Sequence, residues 1–264
     1  MPERYCPRMT QASIDALKAE QQRALDLFGS LRPDEWQAPS GCAGWRVQDV
    51  AQHMAAVFHS IADPSTIDAG SSTDVEENAE VPVQARRDWT PDQVVGEYTE
   101  WSEKGIGALA MMQAPGMAEM VIPLGNLGSH PMHILGNAIV FDHYCHLRHD
   151  IGHTVERAAD LPRDPVALQA TVEWMLAGLP QMCADALAGC SSGVNLSFTD
   201  LGSTWSVAPG SPWVVAEHGL QDLPTATGTA HDFVSWATKR ADWRTTWHVS
   251  DDVAAATLDA FNVI

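Results

Sequence analysis

The chain has 264 residues, 45% of them hydrophobic, so it can bury one large core or two of ordinary size. Its 15 basic and 34 acidic residues give a formal net charge of -19 at pH 7. This charge argues against nucleic acids and anionic membrane surfaces as partners, because both require a basic surface. The acidity by itself says more about solubility than about function.

Three sequence features bear on the compartment. The chain has no apolar run of the length that a membrane span needs, and its amino terminus does not resemble a signal peptide. The five cysteines are scattered and include no C-x-x-C pair, which argues against a disulfide framework. Together these features predict a protein of the reducing cytoplasm.

The spacing of apolar residues predicts four helices in residues 1–163. They run from Thr10 to about Leu31, from about Arg46 to Ser60, from Thr90 to about Met112 and from about Pro131 to Ala158. The intervening segment from Ala62 to Asp88 is rich in Asp, Glu, Ser and Pro, which predicts a long acidic loop. Residues 1–163 are therefore predicted to form a helical domain.

The pattern changes from residue 164 onward. Asp164-Pro165 predicts the start of a further helix, and the short runs VNLSFTD, STWSVAP and PWVVAEH predict strands between turn residues. A helix from about Thr229 to Lys239, a strand near RTTWHVS and a last helix capped by Ser250 complete the chain. Residues 164–264 are therefore predicted to form a small α+β domain.

The motif DHYCHLRHDIGH, from Asp142 to His153, contains four of the eleven histidines. Because an α-helix advances about 100° per residue, one stripe of this helix carries Asp142, His146, His149 and His153. Upstream, the stripe is apolar, so it is predicted to face the interior, as do helices that supply metal ligands within a bundle. His143 lies off the stripe and is predicted to be a solvent or packing residue.

Two ligands from one helix cannot enclose a metal ion, so a ligand from another helix is required. His53 is the only other histidine on an apolar helical face in the first half of the chain. The predicted metal site is therefore His53, Asp142 and His146, with His149 as a competing ligand or a residue that supports a ligand. The alternative is a buried hydrogen-bonded network without metal.

The number and type of ligands suggest the chemistry of this site. Three protein ligands leave one position open for water or substrate, which is the catalytic arrangement. Nitrogen and oxygen donors favour zinc, nickel or iron over calcium and magnesium, and zinc is the default expectation.

Cys145 is predicted to be a small buried hydrophobe rather than a nucleophile. Serine-hydrolase, P-loop and dinucleotide-binding motifs are absent from the sequence.

Residues 19–53 resemble the opening of the mycothiol-dependent maleylpyruvate isomerase family; their sequence is AEQQRALDLFGSLRPDEWQAPSGCAGWRVQDVAQH. The amino-terminal domain of that family is a DinB-like metal-binding four-helix bundle. The resemblance depends on the spacing of Trp36, Pro39, Cys42, Gly44, Trp45, Val47, Asp49, Val50 and His53. It implies that His53 is a metal ligand and that Asp142 and His146 provide the acidic and histidine ligands of a later helix.

The end of the chain looks like the second domain of the same family, a sterol-carrier-like α+β fold. Its sequence is HDFVSWATKRADWRTTWHVSDDVAAATLDAFNVI. The resemblance implies a catalytic role for Arg240 as a clamp for a substrate carboxylate. The family usually has glutamate at the position of Asp142, and an aspartate at that of His149. By this comparison His149 is an auxiliary ligand or a proton carrier.

The resemblance implies a metal-dependent and thiol-dependent isomerase or S-transferase that acts on a small electrophilic, maleylpyruvate-like substrate. The implied cofactors are a divalent metal and mycothiol or another low-molecular-weight thiol. The alternative is a non-catalytic, metal-containing binding protein with an apolar ligand in its C-terminal domain. We expect a monomer or a homodimer.

Overall fold

The structure, a computed structural model, describes residues 11–264. These residues form two compact units, one of residues 11–167 and one of residues 168–264. Cys6 and the predicted helix start at Thr10 lie outside the described residues. None of the described helices combines the length and the apolar character needed to cross a membrane.

The first unit is mainly helical. Its helices are α1 (Gln11–Ser30), α2 (Pro33–Trp36), α3 (Val47–Ala62), α4 (Val75–Ala85), α5 (Pro91–Met111), α6 (Leu135–Cys145) and α7 (Glu156–Ala159). A hairpin of β1 (Val121–Pro123) and β2 (Ser129–Pro131) follows α5. Helices α1, α3, α5 and α6 pack as a four-helix bundle, and their interior includes Leu17, Phe28, Val50, Met54 and Tyr98.

The start of α5 shows how local sequence determines a helix boundary. The Thr90 side chain accepts a hydrogen bond from the Gln93 amide at 3.3 Å, and the Thr90 amide donates to Gln93 Oε1 at 2.8 Å. This reciprocal pair is a capping box, which gives the Thr90 amide a partner and adds a side-chain acceptor to the Gln93 amide beside the Thr90 carbonyl. Pro91 occupies the first helical position, where its missing amide hydrogen costs nothing.

The predicted acidic loop from Ala62 to Asp88 is wrong in part, because it contains α4. Asp74 caps this helix by accepting from the Glu76 amide at 2.9 Å. Tertiary contacts supply the rest of its stability: Trp45 Nε1 donates to Glu80 Oε2 at 2.7 Å, and α4 packs on α3. An apolar periodicity search misses a helix that is held mainly by polar contacts.

The helix predicted from Pro131 to Ala158 is interrupted. After α6, residues His146–Ile151 form a π-helical segment, in which the Gly152 amide donates to the Leu147 carbonyl five residues earlier at 3.1 Å. A π-helix has more residues per turn than an α-helix, so each residue advances through a smaller angle. The stripe predicted for an α-helix therefore does not continue beyond His146.

The π-helical segment is held by a buried ion pair with α1. Arg148 donates to both carboxylate oxygens of Glu20, at 2.8 and 3.0 Å, and both side chains are fully buried. Arg148 also lies over the Tyr144 ring at 4.0 Å, and Arg23 donates to Glu20 at 2.7 Å. These contacts fix the position of the segment relative to the bundle.

The second unit is an α+β domain. Its strands are β3 (Val194–Phe198), β4 (Ser203–Ala208), β5 (Val214–Glu217) and β6 (Thr225–Gly228), in the sheet order β5-β4-β3-β6. Strand β3 pairs antiparallel with β4 and parallel with β6, while β4 and β5 are antiparallel. The remaining helices are α8 (Pro165–Met182), α9 (Ala184–Leu187), α10 (Ala230–Ala237) and α11 (Asp252–Asp259). A helical domain followed by an α+β domain is thus confirmed.

Three local predictions in the second unit are wrong. Strand β6 was not predicted, because TATG is short and lacks large apolar residues. The predicted strand near RTTWHVS is a 3-10 turn, Trp243–Thr245, followed by a single bridge between His248 and Thr227. The last helix is capped by Asp251 instead of Ser250: the Asp251 carboxylate accepts from the Ala254 amide at 2.8 Å.

Replacement of Glu20 by leucine is expected to destabilise the first unit by about 3 to 5 kcal/mol, because it leaves the buried Arg148 guanidinium without an anion. The double variant Glu20→Leu/Arg148→Met removes both charges and is expected to lose less than the single variant. Urea unfolding at pH 7 measures both differences. A single variant as stable as the wild type would contradict the structural role assigned to this pair.

Candidate metal centre

Two helices and the π-helical segment bring three of the predicted site residues together. His53 lies on α3, Asp142 lies on α6, and His146 is the first residue of the π-helical segment. The Nε2 atoms of His53 and His146 lie 3.1 and 3.4 Å from the same oxygen, Asp142 Oδ1. Their imidazole rings are 5.0 Å apart, close to perpendicular. One ligand atom from each residue lies within 4.8 Å of the other two, so the three can surround a single cation.

The protonation states of the centre are strongly coupled. Burial alone would raise the pKa of Asp142, but the charge of His146 and hydrogen bonds from His146 and His53 hold that pKa well below its usual range. Burial likewise opposes the charged form of His146, yet the Asp142 carboxylate and bonds to Asp150 and Cys42 raise its pKa well above the usual value. The carboxylate is therefore ionised at neutral pH, as a metal ligand must be.

The second oxygen of the central carboxylate supplies a test of whether a cation fits. Asp142 Oδ2 is buried and has no hydrogen-bond partner among the described residues. The nearest imidazole nitrogen, His143 Nδ1, is 3.5 Å away and donates instead to the Ile139 carbonyl at 3.0 Å. A buried, charged oxygen without a partner is costly. A divalent cation bound by this carboxylate would compensate the charge, and two imidazoles with one carboxylate suit zinc.

His143 itself has a structural role. Its ring is fully buried, and Tyr98 donates its hydroxyl hydrogen to His143 Nε2 at 2.9 Å. The ring also packs on Phe58, at 4.9 Å between centroids. Cys145 is buried too, as expected for a small hydrophobe. Of the solvent and packing roles predicted for His143, the structure supports packing.

A second group of possible ligands shares His146 with the first. It consists of Cys42, His146 and Asp150, whose ligand atoms also lie within 4.8 Å of one another. His146 Nδ1 donates to Asp150 Oδ2 at 2.7 Å, and Asp150 is fully buried. This hydrogen bond fixes the ring so that Nε2 faces Asp142. Asp150 is not among the predicted site residues, although its spacing of four residues from His146 repeats the spacing of Asp142 and His146.

The loop that carries Cys42 lies directly on the π-helical segment. The Gly41 amide donates to the Asp150 carbonyl at 2.9 Å. A Cβ atom at Gly41 would lie 2.8 Å from Asp150 Oδ1 and 3.1 Å from its Cα. Only glycine permits this close approach without a shift of the loop or of the carboxylate.

The remaining predicted site residues lie outside both groups. The π-helical segment turns His149 away from the stripe, and its ring lies 6.4 Å from that of Tyr144. His149 is in neither of the ligand groups found among the described residues. His153 is exposed. Arg240 belongs to the second unit, where it lies exposed in the turn after α10 and its amide donates to the Ser235 carbonyl at 2.9 Å.

Comparison with known proteins relates this site to a family. Residues 17–120 match the family described as mycothiol maleylpyruvate isomerase N-terminal domain. This segment is similar to that domain family. The resemblance predicted from the sequence is confirmed, although Asp142 and His146 lie beyond the matched residues. No curated protein sequence matches the chain.

Two solved structures resemble the chain over most of its length. They are the crystal structure of the mycothiol-dependent maleylpyruvate isomerase and that of its histidine-to-alanine mutant, with TM-scores of 0.58 and 0.55. Each comparison covers 90% of this chain and 91% of the other, at 14% sequence identity. At this identity the likeness establishes a common fold, with a helical domain followed by an α+β domain.

Substitution of Gly41 by alanine is expected to destabilise the protein by about 1 to 3 kcal/mol, because the new methyl group overlaps the Asp150 carboxylate. Gly107→Ala is the matched control: a Cβ at this exposed position of α5 meets no atom within 4 Å. It is expected to be neutral or to stabilise the helix by up to about 1 kcal/mol. Thermal and urea unfolding compare the two. Equal stability of both variants would show that the loop does not need this close approach.

Proposed function

We propose that the protein is a metal-dependent, thiol-dependent enzyme, an isomerase or S-transferase that acts on a small electrophilic, maleylpyruvate-like substrate. The observation that carries the proposal is the shared oxygen Asp142 Oδ1, which lies between the Nε2 atoms of His53 and His146. The match of residues 17–120 to the mycothiol maleylpyruvate isomerase N-terminal domain supports the same conclusion.

In this proposal His53, Asp142 and His146 hold a divalent metal, with zinc as the preferred ion. The three residues leave a coordination position for a further ligand, which is the arrangement of catalytic zinc sites. When bound, the metal lowers the pKa of a coordinated low-molecular-weight thiol such as mycothiol, so that a thiolate nucleophile is available at neutral pH. The products distinguish the reactions: an isomerase returns the thiol, whereas an S-transferase leaves it on the product.

The protein's own residues orient and neutralise this centre. Asp150 accepts the Nδ1 hydrogen of His146 and keeps the Nε2 lone pair directed toward the metal position. The Trp45 ring lies 5.4 Å from the His53 ring and is held by Glu80 through its indole nitrogen. These contacts restrict the rotation of two ligand side chains. His149 remains a candidate proton carrier, but its absence from both ligand groups removes support for a role as ligand.

Arg240 is proposed to bind a carboxylate of the substrate. A guanidinium group suits this role because its fork donates two parallel hydrogen bonds to one carboxylate. The assignment depends on the family resemblance, and the Arg240 side chain is exposed.

Free thiols are consistent with a protein that works in a reducing cytoplasm, since the described cysteines form no disulfide. These cysteines are Cys42, Cys145, Cys183 and Cys190.

The competing proposal is a non-catalytic binding protein with an apolar ligand in the second unit. The core of that unit argues against it, because aromatic side chains occupy the interior. Adjacent rings among them are 5.1 to 6.0 Å apart between centroids: Phe198, Phe233, Trp236, Trp247 and Phe261. An apolar ligand in this position would have to displace them.

Metal analysis of purified variants tests the ligand set. His53→Ala and His146→Ala are expected to lose bound zinc, whereas Asp150→Asn is expected to bind it about 10- to 100-fold more weakly because only the orientation of His146 is lost. His149→Ala is the matched control and is expected to retain wild-type affinity. Zinc content by mass spectrometry and competition with a chelator provide the measurements. Full metal content in both alanine variants would refute the proposed site.

Activity is a separate test. The zinc-loaded protein is expected to isomerise or conjugate maleylpyruvate only when mycothiol is present, and the metal-free protein is expected to be inactive.

Arg240→Ala should raise KM for the carboxylate substrate, and Arg240→Lys should restore only part of the affinity because lysine lacks the bidentate fork. The zinc affinity of both variants provides the control. Absence of turnover with any thiol and electrophile would favour the binding protein.

A further inference from the structure

The described residues contain one cysteine that lies in a possible metal-ligand group, and the proposed function does not use it. Cys42 belongs to the group with His146 and Asp150, and its sulfur lies within 4.8 Å of a ligand atom of each. Cys145 and Cys183 are buried, and Cys190 lies near the backbone carbonyls of Ala186 and Ala256. Only Cys42, among these four, is in a position to take part in metal chemistry.

The loop around Cys42 is held in place from both sides. The Cys42 amide donates to Ser40 Oγ at 3.1 Å, and the Trp45 amide donates to the Cys42 carbonyl at 3.1 Å. The Gly41 amide attaches the loop to Asp150. The thiol is half-buried, so it lies at the edge of the centre and remains reachable from solvent.

The proposed metal centre has room for one more donor atom. The group of His53, Asp142 and His146 provides three ligands, and zinc in a closed site takes four. A thiolate is the donor that zinc and other soft divalent ions prefer. Cys42 shares His146 with this group but is grouped with Asp150 instead of with His53 and Asp142, so its sulfur has to move toward the ion to join the set.

We propose that Cys42 is a displaceable fourth ligand of the metal centre, which closes the coordination shell until the small thiol replaces it. The inference rests on the proposed function, because it requires an ion at His53, Asp142 and His146. On coordination the Cys42 thiol gives its proton to solvent and its sulfur bonds to the ion. When the small thiol enters, its sulfur bonds to the ion as the metal-sulfur bond to Cys42 breaks, and Cys42 takes up the proton that the small thiol releases. No electrons are transferred.

Cobalt substitution tests the first part of this proposal. Metal-free protein loaded with one equivalent of Co²⁺ is expected to show a thiolate-to-cobalt charge-transfer band in the near ultraviolet. Cys42→Ser should lose this band and still bind cobalt, whereas Cys190→Ser, the other half-exposed cysteine, should keep it. A wild-type protein that binds cobalt without the band overturns the inference but leaves the three-ligand site intact. A wild-type protein that binds no cobalt overturns both.

Alkylation tests the displacement. Cys42 in the cobalt-loaded protein is expected to resist iodoacetamide, and excess mycothiol should restore its modification while cobalt remains bound. Peptide mass spectrometry identifies the modified cysteine, and Cys190 serves as the internal reference for reagent access. Equal modification of Cys42 with and without cobalt contradicts its role as a ligand. Continued protection in the presence of mycothiol contradicts displacement.

Discussion

The π-helical turn of residues His146–Ile151 determines the geometry of the candidate metal centre. Three alternate residues of this turn reach three different partners. His146 directs Nε2 toward the first ligand group, Arg148 forms the buried ion pair with Glu20, and Asp150 accepts from His146 and meets the loop at Gly41. Such turns are rare and occur frequently at functional sites. Here the turn links a candidate ligand, the carboxylate that orients it and the anchor to α1.

The electrostatics of the bundle follow from this arrangement. A chain with a formal net charge of -19 nevertheless buries Glu20 and Asp150 and keeps Asp142 only partly accessible. Glu20 is compensated by two arginines, and Asp150 by His146. Asp142 lies beside two imidazoles, of which His146 supplies positive charge, and one of its oxygens has no partner in the described part of the chain. A cation bound at this carboxylate would give that oxygen a partner.

The proposed function depends on the number of ligands as much as on their identity. Three ligands favour catalysis, and a fourth from Cys42 would give a closed site that a thiol opens. The two states differ by the exchange of one sulfur ligand for another. The chain shares its fold with a maleylpyruvate isomerase at 14% identity. This likeness is compatible with a three-ligand site and with a four-ligand site, because a fold does not determine a reaction.

The sequence alone determined the helical domain and the α+β domain, since apolar periodicity and turn residues are local signals. It also brought His53, Asp142 and His146 into one hypothesis, because the spacing of four residues and a single inward histidine are visible without coordinates. Tertiary structure decided the rest. The π-helical turn, helix α4 and the short strand β6 depend on contacts between distant residues, such as Arg148 with Glu20 and Trp45 with Glu80. For the same reason the groups of possible ligands include Asp150 and Cys42 but not His149: the change of helical geometry after Cys145 altered the angles that the α-helical spacing predicts.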